Sequence, residues 1–234
     1  LLGSNLCEVI YKTADKNQLF YYLTVPEQVY VYDFSSSNAE PLEHTDEQST
    51  GLPSRTPDEI INGELVAKGA VFTRFGGYSV EFGEGFFAAY EIYLDPAAFE
   101  ENNLCLLSFG LNGKDGNYLS ERYIRMIKKS GKLIVDTNTG GTPYEITAER
   151  AGWYTVAMSY YADVNGYVRV VGFLINEAGE LVYVNDLPAH QYNAETGTFD
   201  LPILASAAGG NRYGWFCDNT VEAGVRIKQV WLAR

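Results

Sequence analysis

The chain has 234 residues, of which 46% are hydrophobic and 14% aromatic, and it contains 23 glycines. This composition favours pleated, turn-rich structure, so we expect an all-β protein. With 30 Asp and Glu against 17 Lys and Arg, the formal net charge is −13, and most of the surface would repel a phosphate backbone. Nucleic acid is therefore not expected as a partner. Because no run of about 18 apolar residues occurs, membrane insertion by a helix is not expected either.

The N-terminal region combines short strand signals with a long polar segment. Strands are predicted over Leu6–Lys12, Leu19–Val25 and Gln28–Phe34. The segment Ser35–Gly63 that follows contains several Ser, Pro and acidic residues, which predicts a long irregular loop. Loops of this length are uncommon within compact domains and are often functional or mobile. This loop is therefore a candidate for contacts with a protein partner.

Strand signals then recur at short intervals. They cover Leu65–Arg74, Tyr78–Phe82, Phe86–Leu94, Leu104–Gly110, Tyr123–Lys128 and Lys132–Asp136. Asp95–Glu100 is predicted to form a single helical turn, because Asp before Pro is a good helix start and no apolar helical face follows. Ser130-Gly131 joins the last two strands as a hairpin turn, whereas residues 112–117 form a polar loop.

A three-stranded meander is predicted in the second half of the chain. Its strands are Trp153–Tyr161, Tyr167–Asn176 and Glu180–Val184, joined by turns that contain Asn165-Gly166 and Gly179. The first strand has a period of two. Its core face is predicted to consist of Tyr154, Val156, Met158 and Tyr160, whereas Trp153 and Tyr161 lie on the other face.

Further strands are predicted over Thr198–Leu204, Tyr213–Cys217 and Gly224–Leu232. A total of about 12 to 14 strands without a long helix predicts two packed antiparallel sheets, because an exposed sheet face must be covered by a second layer. The fold class is therefore all-β, a two-sheet antiparallel β-sandwich. We expect residues 1–234 to form a single domain, with residues 1–28 as an additional N-terminal strand or hairpin segment.

The cysteines do not indicate a metal site or a disulfide framework. Cys7, Cys105 and Cys217 stand alone, without a CxxC or Cys/His spacing. Cys105 and Cys217 lie in strand-like segments, which predicts buried thiols. A bridge between Cys7 and Cys217 would require the first and last strands to be neighbours.

Several segments resemble a known superfamily. They are Tyr30–Phe34, Phe75–Val80, Phe87–Leu94, Gly152–Met158, Phe173–Asn176 and Gly224–Leu232. Their succession resembles a concanavalin A-like jelly-roll domain of the LamG or pentraxin type. The resemblance implies a lectin-like domain that is extracellular or at the cell surface. It also implies a structural calcium ion, for which oxygen ligands are available at Asp218, Asn219 and Glu222, and in the polar loop at Asn112, Asp115 and Asn117.

Catalytic chemistry has weaker support in the residue pattern. Glucanases of this fold carry Glu-x-Asp-x-x-Glu on one strand, and no such array occurs here; Glu91 is the lone acid of its strand and is expected to be solvated or paired. The polysaccharide lyases use Arg, His, Gln and Tyr to neutralise a uronate and remove a proton. His44 and His190 both fall in predicted loops and are expected to be surface residues.

Carbohydrate binding needs aromatic faces for sugar rings and polar side chains for hydroxyls. The predicted ligand-binding residues, chosen because they lie off the core face or in loops, are Tyr123, Arg125, Trp153, Tyr161, Arg169, Tyr213 and Trp215. Additional aromatic residues in predicted loops are Tyr78, Tyr118 and Tyr192. We expect Tyr123, Arg125 and Arg169 to converge in one trough, where the arginines would pair with acidic sugars.

The sequence thus predicts a non-catalytic carbohydrate-binding module or lectin-like domain that recognises a polysaccharide or glycan. Two alternatives remain open. The first is an extracellular adhesion domain of the same fold that binds a protein partner through its loops. The second is a polysaccharide lyase or glycoside hydrolase.

Overall fold

The computed structural model describes residues 29–35, 59–73, 82, 85–115, 118–137, 140–209 and 215–233. The predicted strands Leu6–Lys12 and Leu19–Val25, and most of the predicted loop Ser35–Gly63, lie outside these residues. The strands in chain order are β1 (Val29–Asp33), β2 (Glu59–Ile61), β3 (Glu64–Ala67), β4 (Ala70–Thr73), β5 (Phe86–Leu94), β6 (Leu104–Asn112), β7 (Tyr118–Lys129), β8 (Lys132–Thr137), β9 (Gly140–Ile146), β10 (Gly152–Ala162), β11 (Val168–Asn176), β12 (Leu181–Pro188), β13 (His190–Asn193), β14 (Thr198–Pro202), β15 (Trp215–Asn219) and β16 (Val225–Ala233).

Two sheets form the body of the molecule. The eight-stranded sheet has the order β12-β11-β10-β5-β16-β3-β2, with β1 also paired to β16, and the six-stranded sheet has the order β4-β15-β6-β7-β8-β9. Strands β13 and β14 form a separate two-stranded hairpin, and the pairings are antiparallel. The predicted all-β, two-sheet antiparallel sandwich is confirmed.

The core lies between the inner faces of the two sheets. The predicted inner face of β10, which consists of Tyr154, Val156, Met158 and Tyr160, is buried in this core. From the six-stranded sheet, Ile124 and Met126 of β7 are fully buried against it. The sheets approach closely at Gly172 of β11, where an added Cβ would lie 3.2 Å from Ile124 Cδ1. Because side chains alternate along a strand, this core also identifies the two outer faces of the sandwich.

The prediction of one continuous strand over Leu65–Arg74 is wrong. The structure divides it into β3, which pairs with β16, and β4, which pairs with β15 in the other sheet. Between them the chain passes from one sheet to the other at Lys68-Gly69, and Gly69 has a φ of 70°. That conformation is readily accessible only to glycine, so the sharp change of direction depends on it.

The other local predictions have mixed outcomes. The predicted turn after Asp95 is confirmed as a short 3₁₀ helix, Pro96–Ala98, in which Asp95 Oδ1 accepts a hydrogen bond of 2.8 Å from Ala97 N. A second 3₁₀ helix, Ala148–Arg150, precedes β10. The predicted loop around His190 is wrong, because His190 begins β13 and pairs with Pro202.

Cys105 and Cys217 confirm the prediction of buried thiols. They lie on the neighbouring strands β6 and β15 with their Sγ atoms 3.9 Å apart, and both are fully buried. The hydrogen bond with Cys217, together with burial, raises the pKa of the Cys105 thiol well above its usual value. Cys7 lies outside the described residues.

Candidate functional site

The predicted binding residues do not form one surface. Ile124 and Met126 face the core, so Tyr123 and Arg125 lie on the outer face of the six-stranded sheet. The inner residues of β10 and β11 place Trp153, Tyr161 and Arg169 on the outer face of the eight-stranded sheet. The expected trough of Tyr123, Arg125 and Arg169 is therefore wrong, because the thickness of the sandwich separates its members.

Both predicted arginines already have carboxylate partners. Arg125 donates from Nε and Nη2 to the two carboxylate oxygens of Asp136, at 2.9 and 2.8 Å. This hydrogen bonding raises the pKa of Arg125 above its ordinary value. Arg169 Nε donates to Asp186 Oδ1 at 3.0 Å, while Tyr161 OH donates to Asp186 Oδ2 at 2.7 Å. Each arginine is thus neutralised locally, which weakens it as a receptor for an acidic sugar.

The remaining predicted ligands are only partly described. Tyr213 lies outside the described residues, and Trp215 opens β15. For the predicted calcium site, Asn219 points into the interior, where its amide donates to Ala67 O at 3.1 Å and its Oδ1 accepts from Val221 N at 3.1 Å. Asp218 precedes it in β15 and so points to the opposite sheet face.

The predicted calcium set is therefore wrong as a cluster, since Asp218 and Asn219 do not converge and Glu222 is exposed. Within the described ranges, no group of three or more His, Cys, Asp or Glu side chains is placed to hold a metal ion. No helix in this described part of the chain is both long enough and apolar enough to span a membrane.

A cleft of about 570 Å³ lies at the end of the sandwich where β10 begins. It is formed by the end of β9, the second 3₁₀ helix, the first residues of β10 and the turn between β11 and β12. Its lining residues are Tyr144, Glu149, Arg150, Ala151, Gly152, Trp153, Tyr154, Asn176, Glu177, Ala178, Glu180 and Val182. Aromatic rings and hydrogen-bonding groups are therefore combined in one depression.

The aromatic wall of the cleft is held by specific contacts. Tyr154 OH donates to Arg150 O at 2.7 Å, and the Arg150 guanidinium lies over the Tyr144 ring, 5.6 Å from its centroid. Burial, with a smaller contribution from Tyr144, raises the pKa of Tyr154 to about 12. Trp153 is half-buried and meets Tyr93 of β5 edge to face, with ring centroids 5.3 Å apart.

The polar wall is mainly acidic. Hydrogen bonding from Thr147 lowers the pKa of Glu149, which is fully exposed to solvent. In the turn between β11 and β12, Asn176 Nδ2 donates to Glu180 Oε2 at 2.8 Å and Glu180 N donates back to Asn176 Oδ1 at 2.9 Å. These reciprocal bonds fix the turn that carries Glu177 into the cleft.

The opposite end of the sandwich exposes apolar side chains. Tyr192 and Phe199 are register partners of the β13–β14 hairpin; their ring centroids are 5.5 Å apart, and they are 54% and 47% exposed. Tyr167 and Leu204, which form an isolated bridge, are also exposed. Tyr118 is exposed as well, but it begins β7 rather than lying in a loop as predicted.

Comparison with known proteins gives likenesses of fold. No family model matches the chain, and no curated protein matches it. Among solved structures, the chain is similar to the alginate lyase Aly36B, with 11% identity over 90% of this chain and 98% of that chain and a TM-score of 0.42. It is also similar to the lectin from Bauhinia forficata in complex with GalNAc, with 11% identity over 91% of this chain and 94% of that chain and a TM-score of 0.40.

A third similar structure is the exoplasmic/lumenal domain of VIP36 in its Ca²⁺/Man3GlcNAc-bound form, at 9% identity over 75% of this chain and 80% of that chain, with a TM-score of 0.39. At these values the similarity concerns the fold and nothing beyond it. The strand pairing itself confirms the predicted two-sheet antiparallel sandwich, whereas its concanavalin A-like character stays a prediction.

Proposed function

We propose that this chain is a non-catalytic carbohydrate-binding domain and that the sugar binds in the cleft beside Trp153. The observation that carries the proposal is the combination, within one cleft, of the accessible rings of Trp153 and Tyr144 with carboxylate, amide and guanidinium groups, while the buried Tyr154 ring closes the wall. Sugars present apolar C–H faces that pack on aromatic rings and hydroxyls that need hydrogen-bond partners. The lining of this cleft offers both.

We further propose that the ligand is a neutral glycan. Among the described residues that line the cleft, three are glutamates, Glu149, Glu177 and Glu180, and one is a cation, Arg150. The net charge of the whole chain is −13, which adds to the repulsion of a polyanion. Carboxylates accept hydrogen bonds from sugar hydroxyls without needing a charged ligand.

The two shifted pKa values in the cleft favour binding over catalysis. A general acid or base works best when its pKa is close to the operating pH. The pKa of Tyr154 is raised to about 12, so its hydroxyl keeps its proton at neutral pH. The pKa of Glu149 is lowered, so its carboxyl stays ionised. Each shift therefore moves a pKa further from pH 7, where a general acid or base would work.

Affinity electrophoresis tests the proposal. Native gels containing hydroxyethylcellulose, xylan, galactomannan or β-glucan are compared with gels containing alginate or pectate. We expect one or more neutral gels to retard the wild type and Trp153→Ala to abolish the retardation. Tyr192→Ala is the matched control, because it removes an exposed aromatic ring at the other end of the molecule. Retardation only in the anionic gels, or equal retardation of both variants, would reject the proposed site.

Repeating the gels with a chelator tests the predicted calcium ion, whose removal would weaken retardation if the ion supports the fold.

A glycan ligand also agrees with the expected location of the protein, outside the cell or on its surface. Detection of the protein in the medium or on the surface of its host cells would test this location. A product released from any of these polysaccharides would overturn the non-catalytic assignment.

A second candidate function, protein binding, is favoured by the exposed apolar end around Tyr192 and Phe199, since contiguous exposed apolar residues often mark interaction surfaces. This alternative predicts that none of the gels retards the wild type. It also predicts that Phe199→Ser, rather than Trp153→Ala, removes binding to a protein partner.

A further inference from the structure

The indole of Trp153 is in contact with cations from a distant part of the chain. Lys228 of β16 places its Nζ atom 3.9 Å from the centre of the Trp153 ring. Arg226 of the same strand lies with its Cζ atom 4.7 Å from the centre of the Tyr93 ring and 5.5 Å from that of Trp153. Cations at these distances are attracted to the negative face of an aromatic ring.

Carboxylates hold the two cations in place. Arg226 donates from Nε and Nη2 to both carboxylate oxygens of Glu64, at 2.6 and 3.0 Å. Lys228 Nζ lies 3.6 Å from Glu91 Oε1. The chain of contacts from Glu64 through Arg226 and Tyr93 to Trp153 crosses the neighbouring strands β3, β16, β5 and β10 in that order. It therefore connects an edge region of the sheet with the cleft.

The backbone of β16 contributes to this arrangement. Its pairing register with β5 shifts between Ile227 and Gln229, so Lys228 is an extra residue at that point. Such irregularities redirect a side chain relative to the regular pleat. Here the extra residue is the one whose ammonium group lies on the Trp153 ring.

We infer that Arg226 and Lys228 are positioning residues, which fix the indole of Trp153 so that one face remains for a single sugar ring in the cleft. The inference rests on the proposed function. Lys228 lies against one face of the ring, so a sugar stacks on the opposite face only. The cations also restrict ring rotation before the ligand arrives, which reduces the ordering cost of binding.

This role predicts a dependence on salt that stacking alone would lack. Lys228 and Arg226 are 39% and 47% exposed at their side chains, so added salt screens their attraction to the ring and to the carboxylates. Retardation by a neutral polysaccharide should therefore weaken between about 0.02 M and about 0.5 M salt, although the ligand is uncharged. An uncharged residue at position 228 should reduce this dependence.

The experiment compares the wild type with Lys228→Met, Lys228→Arg and Lys132→Met. Methionine keeps most of the side-chain length and removes the charge, while arginine restores a cation. Lys132 is the matched control, because it is an ion-paired lysine of the six-stranded sheet, 2.6 Å from Glu145. Two readouts are taken: acrylamide quenching of tryptophan fluorescence, with Trp153→Phe used to isolate the Trp153 signal, and retardation in the neutral gel that slows the wild type most.

We expect Lys228→Met to increase quenching of Trp153 and to weaken retardation about two- to five-fold, as a cation–π contact at an exposed site allows. Lys228→Arg should restore both properties, and Lys132→Met should change neither. Unchanged quenching in Lys228→Met would overturn the inference, and so would unchanged retardation in a gel that slows the wild type. If no gel slows the wild type, the proposed function fails, and quenching alone then decides whether the cations hold the ring.

Discussion

The guanidinium of Arg125 and the carboxylate of Asp136 form a two-point contact across the register pair of β7 and β8, with N–O distances of 2.9 and 2.8 Å. The contact lies on the outer face of the six-stranded sheet, on the other side of the core from Trp153. Arg125 therefore contributes to the pairing of two strands, and its charge is not available to a ligand without loss of this contact.

We predict that Arg125→Ala lowers the free energy of unfolding by about 1 kcal/mol, the upper range for a partly exposed pair of good geometry, and leaves glycan retardation unchanged. A double-mutant cycle with Asp136→Ala, measured by urea unfolding, should show a coupling energy of similar size. If Arg125→Ala instead abolished retardation without changing stability, the result would indicate a binding site on the six-stranded sheet.

A second prediction concerns stability at alkaline pH. The pKa of Tyr154 is about 12 in the folded protein, mainly because of burial, against an ordinary value of 10.0. Because the pKa of Tyr154 is higher in the folded than in the unfolded protein, the neutral hydroxyl makes its full contribution to the free energy of unfolding below pH 10. This contribution is lost as the pH rises towards 12. About 1.4 kcal/mol should be lost by pH 11.

The measurement is the free energy of unfolding between pH 8 and pH 11 in the wild type and in Tyr154→Phe. The other tyrosines titrate in both proteins, so the difference between the two curves isolates Tyr154. A difference that stays constant with pH would show that the hydroxyl of Tyr154 is not shielded from solvent.

A third prediction concerns the entry to β5. Gly85 has a φ of 110°, and an added Cβ would lie 2.0 Å from Tyr160 O. Gly85→Ala should therefore destabilise the protein by about 3 kcal/mol or more, through backbone strain and a clash with main-chain atoms of β10. Gly131→Ala is the control, since Gly131 has a φ of 76° but nothing within 4 Å of an added Cβ. It should cost only about 1 kcal/mol, and equal losses in the two variants would contradict the predicted clash.

A fourth prediction uses the buried thiols. In a Cys7→Ser variant, Cys105 and Cys217 should not react with a thiol reagent in the native state, because both are fully buried and the pKa of Cys105 is raised. Both should react at once in guanidinium chloride. Rapid labelling of the native variant would mean that strands β6 and β15 separate readily.

Strand bounds were predicted best where core-facing and outward-facing residues alternate regularly over a long stretch. The observed bounds of β5, Phe86–Leu94, are those predicted, and β10 extends the predicted Trp153–Tyr161 by one residue at each end. In contrast, β9 was not predicted, because it opens with Gly140-Gly141 and contains Pro143, residues typical of turns. Proline is tolerated there because β9 is an edge strand of the six-stranded sheet.

The candidate site was predicted only in part, for a related reason. Alternation within a strand shows which residues share a face, but it does not show the sheet to which the strand belongs. Tyr123 and Arg169 were therefore expected together, although β7 and β11 lie in different sheets. Trp153 was predicted as a ligand and does line the cleft, whereas Tyr144 and Arg150 were missed. Their contribution depends on the unpredicted β9 and on the 3₁₀ helix that follows it.

The turn that joins β10 to β11 lies at the far end of the long hairpin from the cleft. Val164, at its tip, is 80% exposed, and the 11 residues of β10 place the cleft about 35 Å away. A cysteine introduced at this position in the Cys7→Ser background would accept a fluorophore or a maleimide-coated bead. The protein would then be oriented with its cleft towards the sample, in the geometry needed to measure the proposed glycan binding on a sensor surface.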